Sequence, residues 1–192
     1  MASSHQCILV AGTFDILHDG HYLMLHAAFA HGEFVEIWLS DDAMCAAKSA
    51  RSSSGGGGGG GGGQSISSWA IRAANIAAWA DAQTMESVKD FYTRATNVLG
   101  IEIIAESIPR FALPYKGRHA EFALSDALGP AVTESRYTAI VCSLETRTGV
   151  DAINNARIER GLNSLAIIQV PLWMTSQGGV EKLSSSTLRR KV

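Results

Sequence analysis

Short apolar runs that alternate with helical segments dominate the hydrophobic pattern of this chain. The runs cover residues 7–11, 34–39, 101–105, 138–142 and 165–170. Each is rich in β-branched side chains and is bounded by Gly, Asp, Ser or Pro, which predicts five β-strands. Between them, residues 21–31 form an apolar stretch that ends before Gly32. Positions 88, 91, 92, 95, 98 and 99 follow helical spacing before Gly100, so both segments are predicted helices.

The order of these elements predicts the fold class. Strands that alternate with helices form right-handed crossovers, and repeated crossovers build a parallel sheet. We therefore expect an α/β protein with a doubly wound parallel five-stranded sheet and helices on both faces, in a single domain of residues 1–192. Such sheets bind ligands at the carboxyl ends of their strands. In this chain those ends are followed by residues 12–21, 40–42 and 143–149.

A run of glycines at residues 55–63, flanked by serines, interrupts this pattern after the second predicted strand. The run has no side chains to bury, and ordering it would cost about 1–2 kcal/mol per residue. Lengthening an existing surface loop costs little by comparison. We therefore expect a flexible surface insertion at about residues 49–68. A lid over a ligand is disfavoured, because a lid needs side chains to seal the site.

Composition narrows the function classes. The chain is 46% hydrophobic and 18% charged with a net charge of -2, whereas a general nucleic-acid binder is usually basic. Its three cysteines form no CxxC pair, which predicts a reducing compartment. The first residues lack a signal-peptide pattern, and no apolar run approaches the ~18 residues of a membrane span. These features predict a cytoplasmic protein that binds small ligands rather than nucleic acid or membrane.

Residues 12–21 read Gly-Thr-Phe-Asp-Ile-Leu-His-Asp-Gly-His and lie where the first predicted strand is followed by a helix. A helix N-terminus presents unpaired N–H groups and the positive end of the helix dipole, which together attract phosphate. His18 and His21 are three residues apart, so both rings are able to donate to one phosphate group. Gly20 leaves room for that group between them. The segment therefore predicts a phosphate-binding site.

Other roles stay open for the same residues. An isolated histidine at a helix start is more often a cap or a packed side chain. A zinc site that joins His18 and His21 to His26 and His31 is disfavoured, because steps of five residues turn side chains off a common helix face. We expect Asp15 to accept hydrogen bonds from loop amides rather than to bind magnesium.

A second polar segment precedes the last predicted helix. Its members are Ser184, Ser185, Ser186 and Thr187, and Arg189 follows them. Amides and hydroxyls at a helix start bind phosphate, and a nearby arginine adds a matching positive charge. The alternative interpretation is a capped basic tail.

These segments resemble the signatures of a known superfamily. Gly-Thr-Phe-Asp with His-x-Gly-His resembles the HIGH-type nucleotidyltransferases, and Ser-Ser-Ser-Thr with Arg189 resembles their Ile-Ser-Ser-Thr element. Residues 143–157, with Ser-x-Glu-Thr and Ala-Ile-Asn, and residues 125–131 are similar to phosphopantetheine adenylyltransferases of the eukaryotic and archaeal type. The resemblance implies a Rossmann-like nucleotidyltransferase fold. It also implies transfer of AMP from ATP to 4'-phosphopantetheine, giving dephospho-coenzyme A and pyrophosphate, with Mg²⁺ bound to ATP.

The resemblance further assigns roles to residues. It implies that Thr13 lies beside the acceptor phosphate, that His18 and His21 contact ATP phosphates, and that Lys48 balances charge around both substrates. Arg147 is expected at the substrate, where many relatives have Tyr-Arg before the glycine. The nucleotide-binding residues that it implies are Gly12, Thr13, Phe14, His18, Gly20, His21, Glu145, Thr146, Asn154, Ser184, Ser185, Ser186, Thr187 and Arg189.

Several alternatives remain. Asn154 and Arg157 fit a bracing, capping or exposed position as well as the nucleotide side. A CTP-dependent cytidylyltransferase of a phospho-alcohol carries Arg-Thr-x-Gly-Ile-Ser-Thr, whereas residues 147–151 read Arg-Thr-Gly-Val-Asp. A nicotinamide mononucleotide adenylyltransferase and a catalytically inactive nucleotide-binding regulator are less favoured. The chain has no GxxxxGK[ST] phosphate loop, so we expect a separate dephospho-coenzyme A kinase, and the resemblance favours a monomer.

Overall fold

A computed structural model of the protein describes residues 5–53, 65–99, 114–175, 181–182 and 188. The helices are α1 (Asp19–His31), α2 (Asp42–Ser53), α3 (Trp69–Asp81), α4 (Met85–Leu99) and α5 (Arg147–Glu159). The strands are β1 (His5–Gly12), β2 (Gly32–Ser40), β3 (His119–Leu124), β4 (Ala139–Ser143), β5 (Ala166–Val170), β6 (Met174–Thr175) and β7 (Glu181–Lys182). Short 3-10 helices span Gly129–Val132 and Leu144–Thr146. None of the helices in this described part is long and apolar enough to cross a lipid bilayer.

Five parallel strands form the main sheet, in the order β3-β2-β1-β4-β5, and β6 pairs separately with β7. The chain runs outward from the central strand β1 to β2 and β3, and then returns to the other side of β1 for β4 and β5. This reversal of direction beside β1 sends the crossover helices to both faces of the sheet. The predicted fold class, a doubly wound parallel five-stranded α/β sheet, is confirmed.

Four of the five predicted strands are confirmed, as β1, β2, β4 and β5. The predicted strand at residues 101–105 lies outside the described residues. Strand β3 was not predicted from the sequence, because its six residues alternate apolar and polar side chains only weakly. β3 stands at the edge of the described sheet, where His119 contacts Glu121 at 2.7 Å. An edge strand needs no continuous apolar run, so its sequence signal is weak.

Two separate cores cover the two faces of the sheet. One core contains Ile8 and Val10 of β1 together with buried side chains of α1, α3 and α4. The other contains Cys7 and Leu9 of the same strand together with Val150 of α5. Successive side chains of a strand point to opposite faces, which is why neighbours in β1 belong to different cores. The helices therefore hold the carboxyl edge of the sheet in place from both sides.

Helix α1 ends at His31, as predicted, and the chain enters β2 directly at Gly32. Gly32 has a φ of -110°, so it does not take the left-handed conformation that is common at helix C-termini. A Cβ at this position would lie 3.0 Å from the Ile8 side chain and 3.1 Å from the Ala28 carbonyl oxygen. Glycine is therefore needed for close packing of the helix end rather than for a positive φ.

Ordered structure extends into both ends of the predicted insertion at residues 49–68. Helix α2 continues to Ser53, and residues 54–64, which include the glycines, lie outside the described residues. Residues 65–68 lead directly into α3, and the Ser67 amide donates to the Asp15 carboxylate at 2.8 Å. The end of the insertion thus contacts the turn that follows β1.

Candidate active site

The turn after β1 folds an aromatic ring back over the end of the strand. Phe14 has a φ of 50°, in the left-handed region that residues other than glycine rarely adopt, and its side chain is buried. A Cβ on Gly12 would lie 2.9 Å from the Phe14 ring, so this position requires glycine. The Phe14 ring packs against the ring of His21, with centroids 5.0 Å apart. The turn thereby fixes the position of His21.

The structure brings His18 and His21 together at the start of α1. Their rings stack with centroids 3.8 Å apart and with planes inclined by 25°. His18 is the N-cap residue, and its carbonyl oxygen accepts hydrogen bonds from the amides of His21 and Tyr22. A Cβ on Gly20 would lie 3.1 Å from Cε1 of His18. Glycine at position 20 therefore lets the His18 ring lie close to the backbone of α1.

Lys48 of α2 reaches the same turn, as the resemblance implies. Its Nζ lies 3.4 Å from Oγ1 of Thr13, although 35 positions separate the two residues in sequence. An ammonium group and a hydroxyl both donate hydrogen bonds to phosphate oxygens. Thr13 and Lys48 thus bring two hydrogen-bond donors together at the turn that precedes the histidine pair.

Arg72 of α3 organises this turn, a role that the sequence analysis did not assign. Its side chain is 0% exposed, and its guanidinium donates to the carbonyl oxygens of Thr13, Ser40 and Ser67 at 2.7–2.8 Å. These carbonyls lie after β1, at the end of β2 and just before α3. A planar guanidinium with five donors suits several fixed acceptors. No local signal identifies it, because an arginine in an alanine-rich helix is usually exposed.

Two carboxylates next to the turn bind backbone amides. Asp15 is buried and accepts from the Ser67 amide, which confirms the expected role of Asp15 as an acceptor for a loop amide. Asp42 accepts from the Trp69 amide at 2.6 Å and lies 3.2 Å from Nη2 of Arg72. Within the ranges that the structure describes, no three His, Cys, Asp or Glu side chains are arranged to hold a metal ion.

The end of β4 adds further predicted residues to the same edge of the sheet. β1 and β4 are parallel neighbours, so Gly12 and Ser143 end their strands side by side. Ser143 and Thr146 then cap the 3-10 helix: the Ser143 amide donates to Oγ1 of Thr146 at 3.1 Å, and the Thr146 hydroxyl lies 3.3 Å from the Ser143 carbonyl oxygen. Glu145 lies between them and is exposed. Thr146 therefore shapes this edge through its backbone partners.

Arg147, which was expected at the substrate, begins α5 at this edge. Its Nε lies 3.0 Å from Oδ1 of Asp151, and its Nη1 lies 3.3 Å from Oε1 of Gln169. A guanidinium has five N–H donors, so two contacts orient the group without using its full capacity. Arg147 is thus held across the ends of β4 and β5.

Asn154, which was expected to line the nucleotide side or to brace it, braces the opposite edge of the sheet. Its Nδ2 donates to the Leu165 carbonyl at 3.1 Å, and its Oδ1 accepts from the Leu165 amide at 2.8 Å. Leu165 precedes β5 and so lies at the amino ends of the strands, away from the edge where such sheets bind ligands. Arg157 is also buried and donates to the carbonyl oxygens of Ala131 and Glu134.

His26 lies in the core between the sheet and the helices rather than beside His18 and His21. Its Nδ1 is 2.8 Å from the Tyr115 hydroxyl, and burial lowers the pKa of His26 to about 3. Burial also lowers the pKa of His31 from its usual value. His26 is therefore a neutral hydrogen-bonding residue of the core.

The predicted phosphate-binding segment near the C-terminus lies outside the described residues. It consists of Ser184, Ser185, Ser186, Thr187 and Arg189. The described residues before it lead back toward the histidine pair, because Trp173 follows β5 and its Cβ would be 3.5 Å from a Cβ added to Gly20. Trp173 is buried and is followed at once by β6, which pairs with β7.

The start of α1 also contacts α4, a helix that was predicted without any role at the site. Nη2 of Arg94 lies 3.4 Å from Oδ1 of Asp19, the first residue of α1. The Arg94 guanidinium lies 5.6 Å from the centroid of the Phe91 ring, and that ring packs against Trp173 with centroids 5.7 Å apart. Arg94 and Asp19 are therefore neighbours of the histidine pair that local sequence patterns did not identify.

Several archaeal proteins with sequences similar to this chain are named phosphopantetheine adenylyltransferases. A phosphopantetheine adenylyltransferase of Methanothermobacter thermautotrophicus is 26% identical over 99% of this chain and 87% of its own length. The enzyme of the same name from Pyrococcus abyssi is 28% identical over 95% of this chain and 87% of its own. That of Thermococcus gammatolerans is 28% identical over 98% of this chain and 91% of its own.

The fold is similar to that of a solved structure, and the sequence matches a family model. The structure of a protein of unknown function from Archaeoglobus fulgidus has a TM-score of 0.57 and 20% identity, and covers 92% of this chain and 97% of its own. At this identity the likeness concerns the fold alone. The cytidylyltransferase-like family model matches residues 9–191, nearly the whole chain. The protein therefore belongs to the cytidylyltransferase-like family.

Proposed function

We propose that the protein is a pantetheine-phosphate adenylyltransferase, an enzyme that transfers AMP from ATP to 4'-phosphopantetheine. The observation that carries this proposal is that the stacked pair of His18 and His21 and the contact between Thr13 and Lys48 both lie where β1 is followed by α1. One pair offers donors to a nucleoside triphosphate, and the other offers donors to an acceptor phosphate. Nearly full-length similarity to archaeal phosphopantetheine adenylyltransferases supports the choice of substrates.

The reaction needs no covalent intermediate on the enzyme. A phosphate oxygen of the acceptor attacks the α-phosphorus of ATP, the bond from that phosphorus to the α,β-bridging oxygen breaks, and pyrophosphate leaves on the opposite side. The protein has to hold two polyanions in line and stabilise charge that grows on the α-phosphate and the leaving group. Donors that are fixed beforehand in a partly dry site do this, and loss of one such donor typically costs about 3–4 kcal/mol of barrier.

Each pair on the turn takes one part of this task. His18 and His21 donate ring N–H groups to ATP phosphates, and the N-terminus of α1 adds its dipole. Thr13 and Lys48 orient the acceptor phosphate and balance its charge. Arg72 acts indirectly, because it holds the Thr13 carbonyl in place. The further nucleotide-binding residues that we propose are Gly12, Phe14, Gly20, Glu145, Thr146, Ser184, Ser185, Ser186, Thr187 and Arg189, with Arg147 on the substrate side.

Magnesium enters this scheme together with ATP. The carboxylates of Asp15, Asp19 and Asp42 contact a backbone amide, an arginine, or both. Mg²⁺ keeps several waters and binds nucleotide phosphates readily. We therefore propose that triphosphate oxygens would hold the ion, which would offset negative charge on pyrophosphate.

Pyrophosphate release from the purified full chain tests the proposal. The assay crosses ATP and CTP with 4'-phosphopantetheine, phosphocholine and glycerol phosphate, and a variant with both His18→Ala and His21→Ala measures the background. We expect release only with ATP and 4'-phosphopantetheine, and dephospho-coenzyme A as the second product. Release that requires CTP and a phospho-alcohol would replace the proposal with a cytidylyltransferase. Nucleotide binding without release from any pair would identify an inactive regulator.

Three further properties belong to the same proposal. The product still lacks the 3'-phosphate of coenzyme A, so we propose that a separate dephospho-coenzyme A kinase consumes it. We also propose a cytoplasmic monomer. Light scattering during size-exclusion chromatography tests the monomer, and a mass of two or more chains would contradict it.

A further inference from the structure

A carboxylate occupies the first position of α1, beside the histidine pair. Asp19 lies between His18 and Gly20 in the sequence, and its side chain is 33% exposed. A negative charge at this position stabilises α1 through the helix dipole. The same charge repels a polyphosphate that approaches the start of α1, and the repulsion is strongest where bound groups exclude water. The start of α1 thus carries one negative charge, which disfavours binding of a polyanion.

Arg94 meets this charge from another helix. Its Nη2 is 3.4 Å from Oδ1 of Asp19, although 75 positions separate the two residues. Buried side chains of α4, among them Phe91 and Tyr92, anchor the helix in the core. Phe91 also packs against Trp173, which lies behind Gly20. The position of Arg94 is therefore fixed by apolar contacts of its helix and not by the ion pair alone.

We propose that Arg94 is a positioning residue for the nucleotide, which neutralises Asp19 and so keeps the start of α1 attractive to polyphosphate. This inference rests on the proposed function and adds a residue to which that function assigns no role. Arg94 acts through Asp19 and not by contact with the phosphates. Loss of Arg94 alone leaves the Asp19 charge unbalanced, so that this charge repels the polyphosphate. Loss of both Arg94 and Asp19 removes the repulsion as well as the charge that offset it.

A double-mutant cycle on polyphosphate binding tests this inference. The dissociation constants of ATP and inorganic tripolyphosphate are measured by calorimetry for the wild type, Arg94→Gln, Asp19→Asn and the double variant. At low salt, we expect Arg94→Gln to weaken binding about three- to tenfold, a range appropriate to a partly exposed charge. The double variant should bind within about twofold of the wild type. In about 0.5 M salt, the effect of Arg94→Gln should fall below about twofold, because screening shortens the reach of the Asp19 charge.

Kinetics and matched variants separate this role from a structural one. Arg94→Gln should raise KM for ATP and leave kcat within about twofold of the wild-type value. Arg94→Lys keeps the positive charge and should restore KM for ATP to the wild-type value. Arg160→Gln removes another exposed arginine, at the C-terminal end of α5, where it donates to the Ala156 carbonyl oxygen, and should change neither constant. A double variant as weak as Arg94→Gln would overturn the inference, since Arg94 would then contact phosphate directly. Loss of thermal stability with unchanged affinity would overturn it too.

The cycle also distinguishes failure of the inference from failure of the proposed function. Tripolyphosphate carries neither a base nor an acceptor, so its binding does not depend on which reaction the enzyme catalyses. If the wild type releases no pyrophosphate from any substrate pair but the cycle gives the expected order, only the proposed function fails. If the wild type releases pyrophosphate from ATP and 4'-phosphopantetheine but Arg94→Gln binds tripolyphosphate normally, only the inference fails.

Discussion

The His18 ring stacks on the His21 ring at a centroid separation of 3.8 Å, and the His21 ring in turn packs against Phe14. Each imidazole is thus held by a neighbouring ring rather than by rotamer preference alone. Removal of one histidine leaves the other without part of its support. The two histidines therefore act as one unit, which packs against Phe14 on the His21 side and against Gly20 on the His18 side.

Single and double substitutions of this pair should be strongly non-additive. We expect His18→Ala to lower kcat at least about a hundredfold, because it removes one fixed donor and loosens the second. His21→Ala should lower kcat by a similar factor. In the double variant, kcat should fall by much less than the product of the two single decreases. Stability should change little for His18→Ala, since the His18 side chain makes no capping bond to α1. Pyrophosphate release and denaturant titration check both statements; a double loss equal to the product would show that the histidines act independently.

Gly20→Ala should separate activity from stability. An added Cβ would lie 3.1–3.2 Å from the His18 ring, so the ring has to shift from its stack with His21. We expect kcat to fall at least about tenfold. The free energy of unfolding should stay the same or rise by about 0.5–1 kcal/mol, because alanine favours the helix. Gly149→Ala in α5, whose Cβ would meet nothing within 4 Å, is the control for that stability gain. Normal kcat in Gly20→Ala would mean that the His18 ring tolerates displacement.

Arg72→Lys should damage both folding and catalysis. A lysine keeps the charge but is unable to reach the carbonyls of Thr13, Ser40 and Ser67 with one planar group. We expect the free energy of unfolding to fall by about 3–5 kcal/mol, the range for a buried charge that loses its partners. At temperatures well below the melting point, kcat should also fall, because the Thr13 turn is no longer held. Arg160→Lys, at an exposed position, controls for the substitution itself, and equal melting temperatures for wild type and Arg72→Lys would refute this role.

The sequence predicted the parts of the site that depend on local chain geometry. His18 and His21 are three residues apart at a junction between strand and helix, so their proximity follows from the period of the helix. The doubly wound parallel sheet could also be predicted from the sequence, because alternating strands and helices permit few topologies. Lys48 was assigned through resemblance alone, and its contact with Thr13 depends on the length and direction of α2.

The parts that the sequence did not reveal depend on contacts between distant segments. Arg72 binds carbonyls that belong to three different parts of the chain, and no periodicity encodes such a set. Asn154 lies on a helix that begins at the ligand edge, yet its side chain reaches the amino end of β5, which only the crossover geometry determines. β3 was missed because its polar residues find partners at the sheet edge.

Acid should destabilise the protein through His26. Burial lowers the pKa of His26 to about 3, whereas the unfolded value is close to about 6.5. Below about pH 6.5 the His26 ring of the unfolded chain binds a proton, whereas the ring stays neutral in the folded protein. The free energy of unfolding therefore falls as the pH falls. This group alone should account for about 2 kcal/mol between pH 7 and pH 5. Denaturant titrations at both pH values measure this change. The free energy of unfolding should fall less in His26→Gln than in the wild type. An equal fall in the two proteins would show that the pKa of His26 is not lowered by folding.

His119 should give the opposite pH dependence. Its Nδ1 lies 2.7 Å from Oε1 of Glu121 and its Nε2 lies 3.4 Å from Oδ1 of Asp81, and the hydrogen bond to Glu121 raises the pKa of His119. A raised histidine pKa adds stability below the unfolded value, and that stability is lost as the pH rises through the folded value. We expect His119→Gln to lower the free energy of unfolding by about 1 kcal/mol near pH 5.5 and by less near pH 8.5. Glu121→Gln should reduce the same dependence, whereas an equal loss at both pH values would assign His119 a packing role alone.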